Sequence, residues 1–373
     1  MRKARIFLPL ALAALMTLSI PAGALAKAPN GIEIVVPEAY EQSGTLPVYR
    51  AQERNQRQAN FFDKVELGWF NQSGQKDYEN WSKRARFDHF VFHDGAWLDI
   101  DADTVSYREN SGDMQIEYDD PGIPPEIVAK PAFSNEVYSL GSTAYHGDVY
   151  ELPHEMELEK TQLNGVSLDG AKAEMEELLK QTGVEGFECV YALDMSVERI
   201  RELGEWKNRR IEDGLWFADI VWDYGVATAD DEGFFLMYGK KLNGAVVGGT
   251  RSFDASALVT ASGIRYFSLC DPYVAGEIYE TPEKLLDATE ILPFFHKSVA
   301  RKDHGAEVIS IDKMELIYTP ARAASKKEGM VFEPVWRFSY TIRDEGSDET
   351  QPYGWGVYSA LDGQFLGDLY QCD

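Results

Sequence analysis

The sequence predicts an α+β protein in which a small β-meander region precedes two units, each a helix packed on an antiparallel sheet. Two observations predict this fold class. Helical periodicity starts directly after Ser167, Ser196 and Thr281, three residues that favour the N-cap position. Runs of alternating apolar residues follow these helical stretches and are separated by polar turns. The chain therefore uses the same order twice, with the helix first and the antiparallel strands second.

The chain is expected to divide into four segments, because its 373 residues exceed the length of one ordinary domain. The segments are a signal peptide (1–26), an N-terminal lead-in and β-meander region (27–135), a first α+β unit (136–275) and a second α+β unit (276–373). The proline-rich stretch 120–135 is predicted to be a linker or an extended surface loop.

The first segment has the pattern of an export signal. Three basic residues stand within the first five positions, and an apolar run follows at 6–20. Ala24-Leu25-Ala26 then fits the small-x-small rule of signal peptidase, which predicts cleavage after Ala26. The apolar run is shorter than the roughly 20 residues that a membrane-spanning helix needs. We therefore expect a secreted, extracytoplasmic protein with no transmembrane segment after signal removal.

The charge balance limits the possible partners. The chain has 62 acidic and 36 basic residues, which gives a formal net charge of −26. Nucleic acid is excluded as a partner because its phosphates require a basic surface. An anionic membrane surface is disfavoured for the same reason. Another extracytoplasmic protein or a cell-wall polymer is the expected partner.

The stretch 87–118 predicts the β-meander, since two alternating runs meet at the hairpin dipeptide Asp94-Gly95. In the first α+β unit, Ser167 is predicted to cap a helix that ends at Gly183.

Ser196 is likewise predicted to cap a second helix, which ends near Gly214. Alternation over 187–193 predicts a strand between the two helices. The stretch 215–222 is apolar on both faces, as in a central strand. A hairpin over 233–249 is predicted to turn at Asn243-Gly244, and 257–269 is predicted to form a strand pair or one long strand.

In the second unit, Thr281-Pro282 predicts a helix start, and Pro293 is expected to kink or break that helix. Three long strands are predicted to follow, at 307–320, 330–344 and 353–363.

The strand that contains "PVWRFSYT" (334–341) has two different faces. Trp336, Phe338 and Tyr340 are expected to pack beneath the helix of this unit. Arg337 points the other way, to an open and polar sheet face, where it is expected to be solvated or ion-paired.

Several short motifs carry a family resemblance. They are Pro334-Val335-Trp336, Val357-Tyr358-Ser359-Ala360 with the Asp362-Gly363 turn, "LNGAVVGG" at 242–249, and Ser167-Leu168-Asp169. Residues of about 163–370 thereby resemble PepSY-type modules and the extracytoplasmic YycH and YycI regulators of a bacterial sensor kinase, exported proteins of Gram-positive bacteria. The proline of the family's corresponding strand is replaced here by Ala245-Val246. The resemblance implies cystatin-like helix-plus-sheet units.

The sequence contains no strong catalytic motif and predicts no cofactor. It has no G-x-S-x-G elbow, and His154-Glu155 lacks the second histidine of a zincin because position 158 is Leu. His89 and His93 would lie about 13 Å apart along a strand, too far to hold one metal ion.

Asp99, Asp101 and Asp103 have EF-hand spacing, but Thr104 stands where that loop needs glycine. These acids are expected on a solvent-facing edge strand, with calcium binding as the alternative.

The three cysteines do not form a disulfide framework. Cys189 and Cys270 lie in apolar runs and are expected to be buried free thiols, with a bridge between them as the alternative.

The first hypothesis for function is an exported, non-enzymatic binding or regulatory protein. The residues proposed to contact a partner are Arg337, Tyr353, Trp355 and Tyr358. One alternative is an extracytoplasmic hydrolase with its site between the units. The other is a carbohydrate-binding module that uses exposed rings such as Trp69, Trp81 and Trp97.

Overall fold

The computed structural model describes most of the chain from residue 133 onwards and shorter stretches before it. The described residues are 26–27, 33–35, 46–54, 78–80, 87–92, 97–101, 104–108, 133–145, 156–214, 222–248, 253–299, 306–322, 329–344 and 350–370. Within these stretches the protein has nineteen β-strands and four α-helices, so it is mainly a β protein.

The elements are numbered in chain order. The strands are β1 (Ala26–Lys27), β2 (Glu33–Val35), β3 (Val48–Glu53), β4 (Tyr78–Asn80), β5 (Phe87–Phe92), β6 (Trp97–Asp101), β7 (Thr104–Arg108), β8 (Gln162–Leu163), β9 (Val166–Ser167), β10 (Phe187–Met195), β11 (Gly233–Leu242), β12 (Ala245–Val246), β13 (Asp254–Thr260), β14 (Gly263–Cys270), β15 (Tyr273–Glu280), β16 (Ala306–Arg322), β17 (Met330–Asp344), β18 (Thr350–Ser359) and β19 (Phe365–Tyr370). The helices are α1 (Phe133–Tyr145), α2 (Leu168–Gln181), α3 (Val197–Glu212) and α4 (Ala288–Val299).

Sheet 1 contains eight strands. Their order is β1-β2-β16-β17-β18-β19, and β3 pairs with both β15 and β17. Neighbouring strands are antiparallel except for β2 and β16, which are parallel. Strand β17 is central, and its Trp336 stands in register with Leu316 on β16 and Tyr358 on β18. Because Ala51 on β3 pairs with Met330 on β17, early and late parts of the chain meet in one sheet.

Sheet 2 contains nine strands. Their order is β10-β11-β13-β14-β7-β6-β5-β4, with β12 beside β11. Strands β5 to β7 are part of the predicted meander, and β7 pairs with β14 from Arg108–Tyr266 to Thr104–Cys270. The meander strands therefore continue the same sheet as the strands that follow α2 and α3.

The predicted fold class is wrong. The strands do not form two helix-plus-sheet units behind a separate meander, because β14–β7 pairing joins the meander to sheet 2. Pairing of β3 with β15 and β17 likewise places an early strand inside sheet 1. Strand periodicity shows which face of a strand is apolar, but it carries no information about which distant strand lies next to it. The four predicted segment boundaries stay a prediction.

The two predicted serine caps are confirmed. Ser167 precedes α2, and its hydroxyl accepts a hydrogen bond from Gly170 N at 3.1 Å. Ser196 precedes α3 and accepts from Arg199 N at 3.5 Å. Glycines with positive φ, Gly183 and Gly214, follow the two helices as predicted. The hairpin turn between β11 and β12 is also confirmed, at Asn243-Gly244.

Helix α4 begins later than predicted, at Ala288 instead of Pro282. Its N-cap is Asp287, whose carboxylate accepts a hydrogen bond from Thr289 N at 2.7 Å. The Glu290 carboxylate accepts in return from Asp287 N at 2.9 Å, which completes a capping box. Pro293 lies inside α4, and the helix continues past it to Val299.

Helix α1 was not predicted. It starts within the predicted loop 120–135 and places Val137, Leu140 and Ala144 in the protein interior. Their three- and four-residue spacing is that of an amphipathic helix, so the sequence does contain a signal for α1.

Three apolar clusters form the main cores. In the first, α4 packs on sheet 1 over Trp336, Phe338 and Tyr340, which confirms the predicted inner face of this strand. The Trp336 indole is fully buried and donates a hydrogen bond to Leu286 O at 2.8 Å.

The other two cores lie on opposite faces of sheet 2. Helix α2 covers the face that contains Phe234 and Leu236 of β11. Helices α1 and α3 cover the face that contains Phe235 and Met237. Strand β11 is therefore buried on both sides, in agreement with its continuous apolar sequence.

Cys189 and Cys270 are half-buried. They lie on β10 and β14, and β11 and β13 separate these strands, so the alternative disulfide is wrong. In the part of the chain that the structure describes, no helix has both the length and the apolar character needed to cross a bilayer.

Some predictions fall on residues outside the described part. These are the signal peptide up to residue 25, the Asp94-Gly95 turn, the strand at 215–221, His93, Asp103, His154-Glu155, Trp69, Trp81 and Cys372.

Candidate functional site

The candidate site is a small aromatic surface where α4 lies beside β18 and β19. Phe294 on α4 and Phe365 on β19 are 39% and 38% exposed. Pro293, next to Phe294, is exposed as well. Pro293, Phe294 and Phe365 are called the aromatic patch below. Exposed phenylalanine is costly in water, and rings that protrude together are typical of contact surfaces.

The helix itself explains why Phe294 is exposed. Ile291, Leu292 and Phe295 face the core of sheet 1. At about 100° per residue these three side chains fall within a sector of about 100°, and Phe294 lies about 60° outside it.

Phe294 is held in place by the turn between β18 and β19. Gly363 in this turn has φ +77°, and a Cβ added there would lie 2.4 Å from Phe294 Cε2. The ring therefore rests directly on the glycine backbone, and a side chain at this position would displace it. Asp362 stabilises the same turn, because its carboxylate accepts a hydrogen bond from Gln364 N at 2.9 Å.

Phe365 is supported from below by Tyr358. The two ring centroids are 5.3 Å apart. Tyr358 is buried and makes edge-to-face contacts with Phe295 and Phe338. Its hydroxyl also forms a hydrogen bond with the Ser298 hydroxyl. Tyr358 was predicted to contact a partner, but its ring is covered by the core and acts as a support for Phe365.

Arg337 was predicted to contact a partner from an open, polar sheet face. That face is not open, since Ile317, Val335 and Val357 are buried on it beside Arg337. The Arg337 side chain is 14% exposed and donates a hydrogen bond to Glu315. The ion-paired alternative is thus the one that the structure contains.

Glu315 joins Arg337 to a third charge. Lys313 Nζ lies 2.6 Å from the second carboxylate oxygen of Glu315. Burial alone would raise the pKa of Glu315, but the charges of Arg337 and Lys313 outweigh it and hold that pKa below its usual value. Glu315 is therefore a stably ionised carboxylate, which suits a structural ion pair better than proton transfer near neutral pH.

Tyr353 and Trp355 lie on β18, and Trp355 stands in register with Ser339 on β17. Their side chains fall outside the described part, so their contact role stays a prediction.

Ser359 and Glu333 form the nearest arrangement to a hydrolytic pair. The Ser359 hydroxyl donates to the Glu333 carboxylate. Burial raises the pKa of Glu333, although this hydrogen bond lowers it in part. Ser359 is only 2% exposed, so its hydroxyl cannot reach a substrate without rearrangement of sheet 1.

Metal ligands do not converge within the described stretches, where no three His, Cys, Asp or Glu side chains come together. Asp99 and Asp101 lie on β6, a strand paired on both sides by β5 and β7. Calcium binding by the aspartates stays a prediction because Asp103 is not described.

The residues of the aromatic patch were missed by the sequence analysis. A signal for Phe294 is present, because helical spacing places it outside the sector that Ile291, Leu292 and Phe295 occupy. Phe365 has no comparable signal, since its exposure depends on how far α4 extends over β19.

Comparisons with known proteins give a fold likeness alone. No protein-family profile matches the chain, and no curated protein matches it. A crystal structure of an uncharacterized protein from Eubacterium rectale is similar, with a TM-score of 0.52 and 13% identity over 93% of this chain and 94% of that one. The two chains share an overall fold.

The Bacillus megaterium YpeB C-terminal domain is also similar, with 8% identity over 86% of this chain and 100% of that chain. Its TM-score of 0.27 is too low to establish a common fold.

Proposed function

We propose that this protein is an exported, non-enzymatic binding or regulatory protein that contacts another extracytoplasmic protein through the aromatic patch. The observation that carries the proposal is the pair of exposed rings, Phe294 and Phe365, each held by a rigid support. Gly363 fixes Phe294, and Tyr358 fixes Phe365. A preorganised aromatic surface loses little conformational entropy on binding, which favours affinity.

The state of the polar groups on sheet 1 favours binding over catalysis. Arg337 and Glu315 neutralise each other, and the Ser359 hydroxyl is shielded. Catalysis requires a reactive group that a substrate can approach. The extracytoplasmic location rests on the predicted signal peptide at 1–26.

The test is capture of a partner by matched variants. The chain that starts at Lys27 is immobilised and incubated with the extracytoplasmic fraction of the source organism. Phe294→Ala/Phe365→Ala removes both rings, whereas Ile278→Ala removes an apolar side chain that is 56% exposed on β15, outside the patch. A partner should bind wild type and Ile278→Ala, and its recovery should fall at least about tenfold with the double variant.

All three proteins should melt within about 3 °C of one another, so that loss of binding is not loss of folding. Equal recovery of every captured protein by all three forms would overturn the proposal. Hydrolysis of peptides or wall glycans by the wild-type protein would overturn its non-enzymatic part.

A further inference from the structure

A buried carboxylate lies where the chain passes from sheet 2 to sheet 1. Strand β14 of sheet 2 ends at Cys270, and β15 of sheet 1 begins at Tyr273. Asp271 stands between them and is 0% exposed. An ionised carboxylate without solvent requires cations or hydrogen-bond donors close by.

One cation reaches Asp271 from each sheet. Arg54 directly follows β3 of sheet 1, and its Nε lies 3.0 Å from Asp271 Oδ2. Lys240 belongs to β11 of sheet 2, and its Nζ donates to Asp271 Oδ1. The Lys240 side chain is 6% exposed and the Arg54 side chain 10% exposed, so both cations are largely shielded from solvent. The single carboxylate thus bridges two positive charges that belong to different sheets.

Backbone carbonyls bind the remaining donors of the two cations. The Arg54 guanidinium donates to Gly183 O, just after α2, at 3.2 Å through both Nη atoms. Lys240 Nζ donates to Tyr273 O, at the start of β15, at 2.9 Å. The cluster therefore also fixes the end of α2 and the first residue of β15.

The main chain of Lys240 belongs to a second contact between the sheets. Lys240 O accepts a hydrogen bond from Val247 N at 2.8 Å, which closes the β11–β12 hairpin. The next residue, Gly248, donates to Tyr318 O on β16 at 2.8 Å. The hairpin of sheet 2 is thereby attached to β16 of sheet 1, and Val247 belongs to the core of sheet 1.

We propose that Arg54, Asp271 and Lys240 form an ionic lock that couples the two sheets into one cooperative unit. Without the Asp271 charge, two buried cations would face each other with no anion between them. Water can reach them if the sheets separate at this point, while the helix-covered cores of each sheet stay packed. Loss of the lock should therefore uncouple the sheets before it unfolds either one.

The test compares the wild-type chain with Asp271→Asn, a change that keeps the size of the side chain and removes its charge. Calorimetry of the wild type should show one unfolding transition, and that of Asp271→Asn should show two. Amide exchange at β3, β12 and β15 should become at least about tenfold faster, with β13 unchanged. Glu198→Gln is the control, because it breaks the exposed Lys160–Glu198 pair, which lies away from the lock.

If Asp271→Asn does not fold, Lys240→Met is used instead and should show the same two unfolding transitions. In that variant Asp271 still pairs with Arg54, and only its contact with sheet 2 is lost. A single transition with uniformly faster exchange over both sheets would overturn the proposal. Two transitions in the wild-type protein would overturn it as well.

Discussion

At the scale of single residues, Glu315 and Arg337 form an ion pair that is largely shielded from solvent on one face of sheet 1. Removal of Arg337 leaves a buried carboxylate with only the partly exposed Lys313 as a cationic neighbour among the described contacts of Glu315. We expect Arg337→Met to lower the free energy of unfolding by about 2–3 kcal/mol at neutral pH. Lys313→Met, which removes a more exposed partner, should cost less than about 1 kcal/mol. Urea unfolding measures both values.

The same ion pair has a pH signature with a definite sign. Because the folded pKa of Glu315 is lowered, its contribution to stability is present above the unfolded pKa and is lost as pH falls through the folded pKa. Removal of Arg337 raises the folded pKa of Glu315, so the stability difference between wild type and Arg337→Met should shrink as pH falls and Glu315 becomes protonated. Equal acid unfolding curves for wild type and variant would contradict this account.

His296 on α4 gives a second pH prediction. Burial lowers its pKa, and its Nε2 has no hydrogen-bond partner within the described stretches. As pH falls through the usual histidine pKa of about 6.5, the unfolded chain gains a proton that the folded chain does not. Stability should therefore decrease more between about pH 7.5 and about pH 5.5 for wild type than for His296→Gln.

Lys297→Gln is the control for His296, since it changes the exposed neighbouring residue on the same helix. Thermal melting at the two pH values is sufficient for the comparison. A steeper pH dependence in His296→Gln than in wild type would show that the assigned sign is wrong.

At the scale of elements, the position where α4 begins is set by contacts with sheet 1 and not by the local start signal in the sequence. Thr281-Pro282 is a good start signal, yet α4 does not begin before Ala288. Leu286 N donates to Ala360 O at 2.7 Å, and Leu286 O accepts from the Trp336 indole. Both backbone groups are held by sheet 1, so the helix cannot include this residue.

This start gives a matched pair of variants. Asp287→Ala should cost about 1 kcal/mol of stability because it removes the actual cap. Thr281→Ala should be close to neutral, since Thr281 is exposed and precedes no helical turn. Denaturant unfolding of both variants decides the point, and a larger cost for Thr281→Ala would contradict the observed helix start.

Local signals predict elements well where the signal lies within the element. Ser167 and Ser196 cap helices as predicted, and Asn243-Gly244 forms its hairpin turn. The candidate site could not be predicted in the same way. Phe294 and Phe365 come from distant segments, and sheet 1 and α4 together decide that they are exposed in one place.

At the scale of the whole molecule, strand pairing makes the early residues part of both sheets. A fragment of residues 136–373 would lose β7, the neighbour of β14, and also Arg54 of the buried ion cluster. An unpaired sheet edge exposes backbone donors and acceptors and promotes aggregation. We expect this fragment to aggregate or to melt without a cooperative transition, as measured by circular dichroism and size-exclusion chromatography.

The fragment also tests the predicted segment boundaries. If residues 136–373 melted cooperatively within about 3 °C of the full chain, the region 27–135 would be a separable segment. The sequence predicts most of the strands in this molecule but not their neighbours, because register with a remote strand leaves no local trace.

The pairing of Ala51 with Met330 has a consequence for the order of folding. Sheet 1 cannot form completely until almost the entire polypeptide has been made, because β3 has no β17 to pair with before then. Topologies dominated by such distant pairings fold slowly, because a long loop must close before its ends gain any contact. A chain built in this way stays incompletely folded until its last strands have been made.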